Sequence, residues 1–237
     1  WANTPEMRER LAALGTPERV DMAAYDALVL VGSTVSTFGA VRLAQSHLVT
    51  GWPSAARDMA QGAESPGAPM PRPMLSGAAY VAALADTIRA GLSHQLLSDL
   101  RTHSELPAFV VPQPYPAEAI LEPGSKYPVF RKLHKRGDGP MIARALTRAH
   151  EDAFAAMRAT TLLIQPRTTV ARDFLTGDAY TRGAVRLNID HRQPSADILH
   201  AGPAMGALIL DRIDEACRAA KIPTKVLTNR TEIDPTE

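Results

Sequence analysis

Apolar residues are spaced in two ways along this chain: short unbroken runs, and longer stretches in which they recur every three or four positions. Three runs, Ala27–Val31, Ala108–Val111 and Thr161–Ile164, read as strands buried on both faces, as in the middle of a parallel sheet. Each run is stopped by residues that cannot continue a central strand: Gly32-Ser33-Thr34, Pro112-Gln-Pro-Tyr-Pro116 and Gln165-Pro166. Helical spacing fills the intervals. Met7, Leu11 and Leu14 lie between a Thr4 N-cap and a Gly15 C-cap. Tyr80, Leu84, Ile88 and then Leu92, Leu96, Leu100 predict one long helix or two short ones broken near Gly91-Leu-Ser93, and Ile142, Leu146, Ala149, Ala153 and Met157 predict another. Met205, Leu208, Ile209 and Ile213 predict a last helix just after Pro203. The order is α/β alternation, which predicts one domain over residues 1–237: a three-layer αβα sandwich on a parallel sheet, flavodoxin-like, with all strands ending on the rim that carries His200.

Between these elements the chain reads as loop. Residues 51–73 are rich in Gly, Pro, Ala and Ser and predict a long irregular insertion able to cover a site. Phe174–Ile189 has loop or short-hairpin character, and Lys225–Thr228 adds an edge strand. Lys126, Arg131, Lys132, Lys135 and Arg136 make one stretch basic and read as a solvated loop.

The charge total narrows the partners. A net charge of +1 provides no field of one sign, and the basic stretch has no aromatic stacking platform, so nucleic acid and anionic membrane are excluded as main partners. No apolar run is long enough to cross a bilayer. The single cysteine, Cys217, falls among alanines on the predicted last helix and reads as a small buried side chain; a one-cysteine chain forms no internal disulfide. With no secretory signal in view, this favours the cytoplasm, although the chain opens on Trp1 rather than Met. GxGxxG, Walker A and HExxH are absent, the other histidines lack metal-ligand spacing, and no metal or cofactor is expected.

The residues that point to chemistry are Asp197 and His200. They stand three apart at the entrance of the last helix, where a tight turn lets the carboxylate fix one ring nitrogen while the other faces a nucleophile or water. An arbitrary pair at this spacing is also what a helix cap beside a surface histidine looks like. Gly32, Ser33 and Thr34 occupy the carboxyl end of the first strand, where function gathers in such sheets; a plain turn is the alternative.

Asp197-Ile-Leu-His200 with Ala-Gly-Pro-Ala-Met-Gly206 resembles the last block of the SGNH (GDSL-type) hydrolases, a D-x-x-H segment before the final helix. Tyr25-Asp-Ala-Leu-Val-Leu-Val-Gly32-Ser-Thr resembles the strand leading to that family's G-x-N-D block, and the likeness spans roughly Tyr25 to Ala220. It implies an ester hydrolase or acyltransferase, with a small-molecule or carbohydrate ester as substrate, His200 as general base and Asp197 as its orienter. Gly32 N–H and the Thr34 hydroxyl would then be oxyanion donors. In that register Thr34 stands in place of the family's Asn, Val35 in place of its Asp, and the nucleophile block falls before Trp1. One or two strands bearing the nucleophile are then expected upstream, and the chain as given should show little activity toward a generic aryl acetate. A second register lays Gly32-Ser33-Thr34 on the nucleophile block itself, although Pro112-Gln-Pro then replaces the G-x-N-D block. The rival to both is a binding or structural protein without a nucleophile, and a nucleotide-binding flavodoxin-like domain ranks last because it leaves Asp197 and His200 unexplained.

Overall fold

A computed structural model describes residues 4–17, 19–63, 72–183 and 197–222. In chain order the elements are α1 (Pro5–Ala13), β1 (Leu28–Val31), α2 (Thr37–Ser46), β2 (Leu48–Val49), α3 (Pro53–Ala63), β3 (Met74–Leu75), α4 (Gly77–Arg89), α5 (Leu92–Arg101), β4 (Ala108–Val111), α6 (Pro128–Arg136), α7 (Gly139–Phe154), β5 (Thr160–Leu162), β6 (Val170–Ala171), β7 (Leu175–Thr176) and α8 (Pro203–Ala219). The three apolar runs form one parallel sheet in the order β1-β4-β5, with Leu28 opposite Ala108 and Ala108 opposite Thr160. Short pairs β2-β3 (parallel) and β6-β7 (antiparallel) lie outside it.

Helices cover the two faces of the sheet unequally. Leu28, Leu30, Ala108, Val110 and Leu162 join the main core, built with Ala40 and Val41 of α2, Tyr80, Leu84 and Ile88 of α4, and Ile142, Leu146 and Ala149 of α7. On the other face Phe109, Val111 and Leu163 pack against Ile209, Ile213, Ala216 and Cys217 of α8. The protein is thus an α/β fold with a small parallel sheet between helices. All four residues of β4 are buried, as its sequence predicts. β1 corrects the sequence reading, since among the described residues it pairs only with β4, and Val29 and Val31 stay 37% and 56% exposed. The physical reason is that α8 lies over β4 and β5, so among the described residues no helix covers the second face of β1. An all-aliphatic run reads the same whether that face is covered or open.

Two further stretches depart from the sequence reading. Of residues 51–73, Pro53–Ala63 form α3 and 64–71 lie outside the described residues. Alanine counted there toward a loop composition, yet it is the strongest helix former, and proline suits a first helical position. The basic stretch is also no loop: Pro128–Arg136 form α6, with Phe130 and Leu133 buried and Gly137 closing the helix at φ +80°. The bulky apolar pair three residues apart supplies the core face, and the cations take the other. Elsewhere the caps hold as expected: Thr4 Oγ1 accepts from Met7 N–H at 3.3 Å, Gly15 has φ +62°, and the long helical text breaks into α4 and α5 at Ala90–Gly91. Phe174 precedes β7 in a short hairpin and a 3-10 turn at Asp178–Tyr180 follows, as loop or short-hairpin text predicts; 184–189 and the edge strand expected at Lys225–Thr228 lie outside the described residues. Cys217 is half-buried rather than buried, and burial together with Asp214 pushes its thiol pKa up, which keeps it protonated and inert.

Buried His150 on α7 makes the core sensitive to acid. Its Nδ1 lies 2.8 Å from the Leu146 carbonyl, which can only accept, so Nδ1 carries the proton and Nε2 is a buried lone pair without a partner. Burial lowers the pKa of His150, with the Leu146 hydrogen bond partly opposing it. The unfolded chain therefore binds a proton before the native state does. Stability is full above the unfolded value of about 6.5 and falls as pH drops from there toward the lower native pKa. Urea unfolding at pH 7.5 and pH 5.0 should show a lower midpoint at pH 5.0, and His150→Leu should shrink that difference.

Candidate functional site

The direction of α8 places its N-terminus at the carboxyl ends of the strands. Met205, on its first turns, lines a cleft with Val111, Pro112, Gln165 and Pro166, which lie at or just beyond the ends of β4 and β5, and the Arg212 guanidinium donates to the Ile164 carbonyl. Gly32 follows β1 at the same end, so the Gly32 turn and the His200 loop share one rim, as the alternation predicts.

The Asp197/His200 pair is formed. Both carboxylate oxygens of Asp197 lie 2.8 Å from His200 Nδ1. A carboxylate accepts, so Nδ1 donates and Nε2 is left with its lone pair. The Asp197 side chain is 2% exposed and the His200 side chain 52%, an acid held inside and a base presented outside. Asp197 Oδ1 also accepts from the backbone N–H of Leu199 (3.1 Å) and His200 (3.3 Å). The carboxylate thus shapes the turn and orients the ring at once; it caps no helix, since α8 begins at Pro203 behind Gly202 with no side-chain cap. Among the described residues, Nε2 has no hydrogen-bond partner.

Three anchors hold this loop. Ala117 N–H donates to the Ile198 carbonyl at 2.9 Å, Gly202 N–H to the Tyr180 carbonyl at 2.7 Å, and Ile198 is buried in the main core. Behind Ala117, Gln165 acts as a hub: its Oε1 accepts from Tyr115 N–H at 2.8 Å, and its Nε2 donates to Thr169 Oγ1 (2.9 Å) and Thr176 Oγ1 (3.0 Å). Thr176 Oγ1 in turn donates to the Tyr115 carbonyl at 2.6 Å. The polar groups satisfy one another, which fixes the exit loop of β4 against β7 and so fixes what hangs from it. Sequence reading treated Gln165 only as the stop of a strand; a glutamine following a buried run is the one signal that could have singled it out.

The Gly32 turn is not assembled for the role the sequence suggested. Gly32 N–H donates to the Val111 carbonyl at 2.9 Å, extending the sheet ladder, and is therefore unavailable to an oxyanion. Thr34 Oγ1 is buried with no hydrogen-bond partner, so its hydroxyl does not open on the rim. Ser33 Oγ bonds Ser93 Oγ, and Ser93, buried at the start of α5, donates to the Ser33 carbonyl at 3.0 Å. Ser33 and Thr34 thus stand on the rim of His200 without a hydrogen bond to it. Ser93 was not foreseen, because a serine at a helix start is ordinary. Among the described residues no group of three His, Cys, Asp or Glu could hold a metal ion, and no helix is long and apolar enough to cross a membrane.

Comparison of the chain with protein-family models, with curated proteins and with solved structures yields no match.

Gly202 tests the anchoring. A Cβ there would overlap the Arg182 carbonyl oxygen, which is backbone and cannot swing aside. Gly202→Ala should cost about 1–3 kcal/mol in urea unfolding, and it should broaden or shift the His200 ring resonances while leaving those of His150 in place.

Proposed function

We propose that the rim carries the base half of an acyl-transfer site: a hydrolase or acyltransferase of the SGNH type acting on an ester, an O-acyl carbohydrate among the substrates that fit. The observation that carries this reading is the buried Asp197 carboxylate clamped on Nδ1 of an exposed His200, which leaves Nε2 free to accept a proton from an attacking hydroxyl. Asp197 orients the ring and offsets the charge that His200 gains when it takes the proton. His200 then returns that proton to the leaving alkoxide. The D-x-x-H resemblance supports the same roles. The attacking hydroxyl is either Ser33, once parted from Ser93, or a group outside the described residues.

A binding protein is the second reading, favoured by the state of the Gly32 turn. Its N–H is taken by Val111, Ser33 is held by Ser93, and the Thr34 hydroxyl is enclosed.

Initial rates of hydrolysis of a short-chain aryl acetate, measured between pH 6 and 9, separate the two. The acyl-transfer reading expects slow turnover that falls at least about 100-fold in His200→Ala, with a smaller loss in Asp197→Asn. Loss of the same size in Ser33→Ala identifies Ser33 as the nucleophile. A rate indifferent to His200 and Asp197 overturns the reading in favour of the binding protein.

A further inference from the structure

The cations of α6 are arranged, not scattered. Arg131, Lys132, Lys135 and Arg136 share one side of the helix, opposite buried Phe130 and Leu133. On that side lies a depression of about 370 Å³ whose wall is Arg57 of α3, Pro128 and those four cations. A groove of about 400 Å³ adjoins it beneath α6, sharing Lys132 and Arg136 and adding Asp58, Arg72 and Asp138. Asp138 is 1% exposed, its Oδ1 accepts from Ser54 N–H at 3.0 Å, and it presents nothing to a ligand.

The charge divides unevenly between the two. Asp58 pairs with Arg72 at 3.0 Å and with Arg136 at 3.1 Å, so the groove carries its own counter-charge and repels another anion. Arg57, Arg131, Lys132 and Lys135 make no ion pair with a described residue, and no acid stands in the wall of the outer depression. A cation in the last turn of a helix is favoured by the helix dipole, which accounts for Lys135 and Arg136. It does not account for Arg131 and Lys132, which stand earlier in α6, or for Arg57, which comes from another helix. Four cations from two elements are therefore unspent around one hollow.

The wall selects its ligand in two ways. Every side chain in it except Pro128 donates and none accepts, so a sugar hydroxyl or a base amine finds no side-chain partner there, and without an aromatic residue a base finds nothing to stack on. A single phosphate group carries about 1.5–2 negative charges near pH 7 and answers half of the four unspent cations, whereas two linked groups carry about 3–4 and answer them all. We infer that the outer depression binds a short chain of linked phosphates, free rather than carried on a nucleoside, with diphosphate as its smallest full ligand. Arg57 closes on it from α3 and Arg131, Lys132 and Lys135 from α6, while Asp58 keeps it out of the groove. The depression lies in the ~300–1,000 Å³ range of small-molecule sites. It contains no residue of the Asp197–His200 loop and stands independently of the acyl-transfer reading.

Calorimetric titration of the purified chain with orthophosphate, diphosphate, triphosphate and ADP tests this. Diphosphate should bind about tenfold tighter than orthophosphate, triphosphate at least as tightly as diphosphate, and ADP no tighter than diphosphate. Arg57→Ser with Arg131→Ser should weaken diphosphate by about tenfold, to the level of orthophosphate. Arg148→Ser with Arg218→Ser removes the same charge from exposed positions on α7 and α8 and should leave the affinity within about twofold. Equal affinity for orthophosphate and diphosphate, absence of binding, or a loss of the same size in the Arg148 and Arg218 variant would overturn the inference. So would ADP binding tighter than diphosphate, or oligouridylate displacing diphosphate at equal phosphate concentration.

Discussion

The backbone ladder on both sides of β4 is the constraint on which the rest of the structure depends. Leu28 N–H bonds the Pro107 carbonyl and Gly32 N–H the Val111 carbonyl on one side; Ala108 N–H bonds the Ala159 carbonyl and Leu163 N–H the Val110 carbonyl on the other. The β4 side of these bonds lies in a strand buried along its whole length, where water does not compete for its backbone groups. β4 then turns into a proline-rich exit that makes no regular structure, and its last residue, Ala117, receives the His200 loop. The sheet and the site are therefore held by one segment. A change that loosened β4 would be felt at His200 before any residue touching His200 had been altered.

What could be read in the sequence follows from where the physics is local. The stretch Ala108–Val111 matched its strand to the residue because no polar position interrupts it and prolines bound it on both sides. Thr4, Gly15 and Gly91 marked helix ends because capping is decided within a few residues. Asp197 and His200 were legible for the same reason: three positions apart, they need only a turn to meet. Misreadings arose where a distant element decides. Whether the second face of β1 is covered depends on where α8 lies, and α8 begins far along the chain. Whether Gly32 N–H is free depends on its neighbour strand, and whether Ser33 points to His200 depends on Ser93 at the head of another helix. The basic stretch fell between these cases, since the buried pair Phe130 and Leu133 was visible but was outweighed by the charges around it.

The two polar centres contrast in how they meet the cost of burial. At the rim, Asp197 is enclosed but fully engaged, by two backbone N–H groups and an imidazole, so its charge is matched by donors fixed before any substrate arrives. In the groove beneath α6, Asp138 is enclosed with one oxygen engaged and one idle. A satisfied carboxylate shapes a loop, whereas an idle one sealed from water is a standing cost to stability. Gln165 belongs to the first kind, with each polar atom of its amide committed to holding the β4 exit.

The open side of β1 affects how the protein behaves among its own copies. Leu28–Val31 has no lysine, no proline and no bulge, the devices by which natural edge strands resist adding another strand. Among the described residues its outer row of amide and carbonyl groups has no partner strand, which makes it a template for an extended chain, and the exposed Val29 and Val31 reward whatever covers them. Colloidal stability then rests on the rest of the surface, and with positive and negative side chains nearly balanced the molecules repel one another weakly. Self-association is thus expected to start at two valines and one strand edge, on a strand whose other two residues, Leu28 and Leu30, belong to the packing that gives the protein its shape.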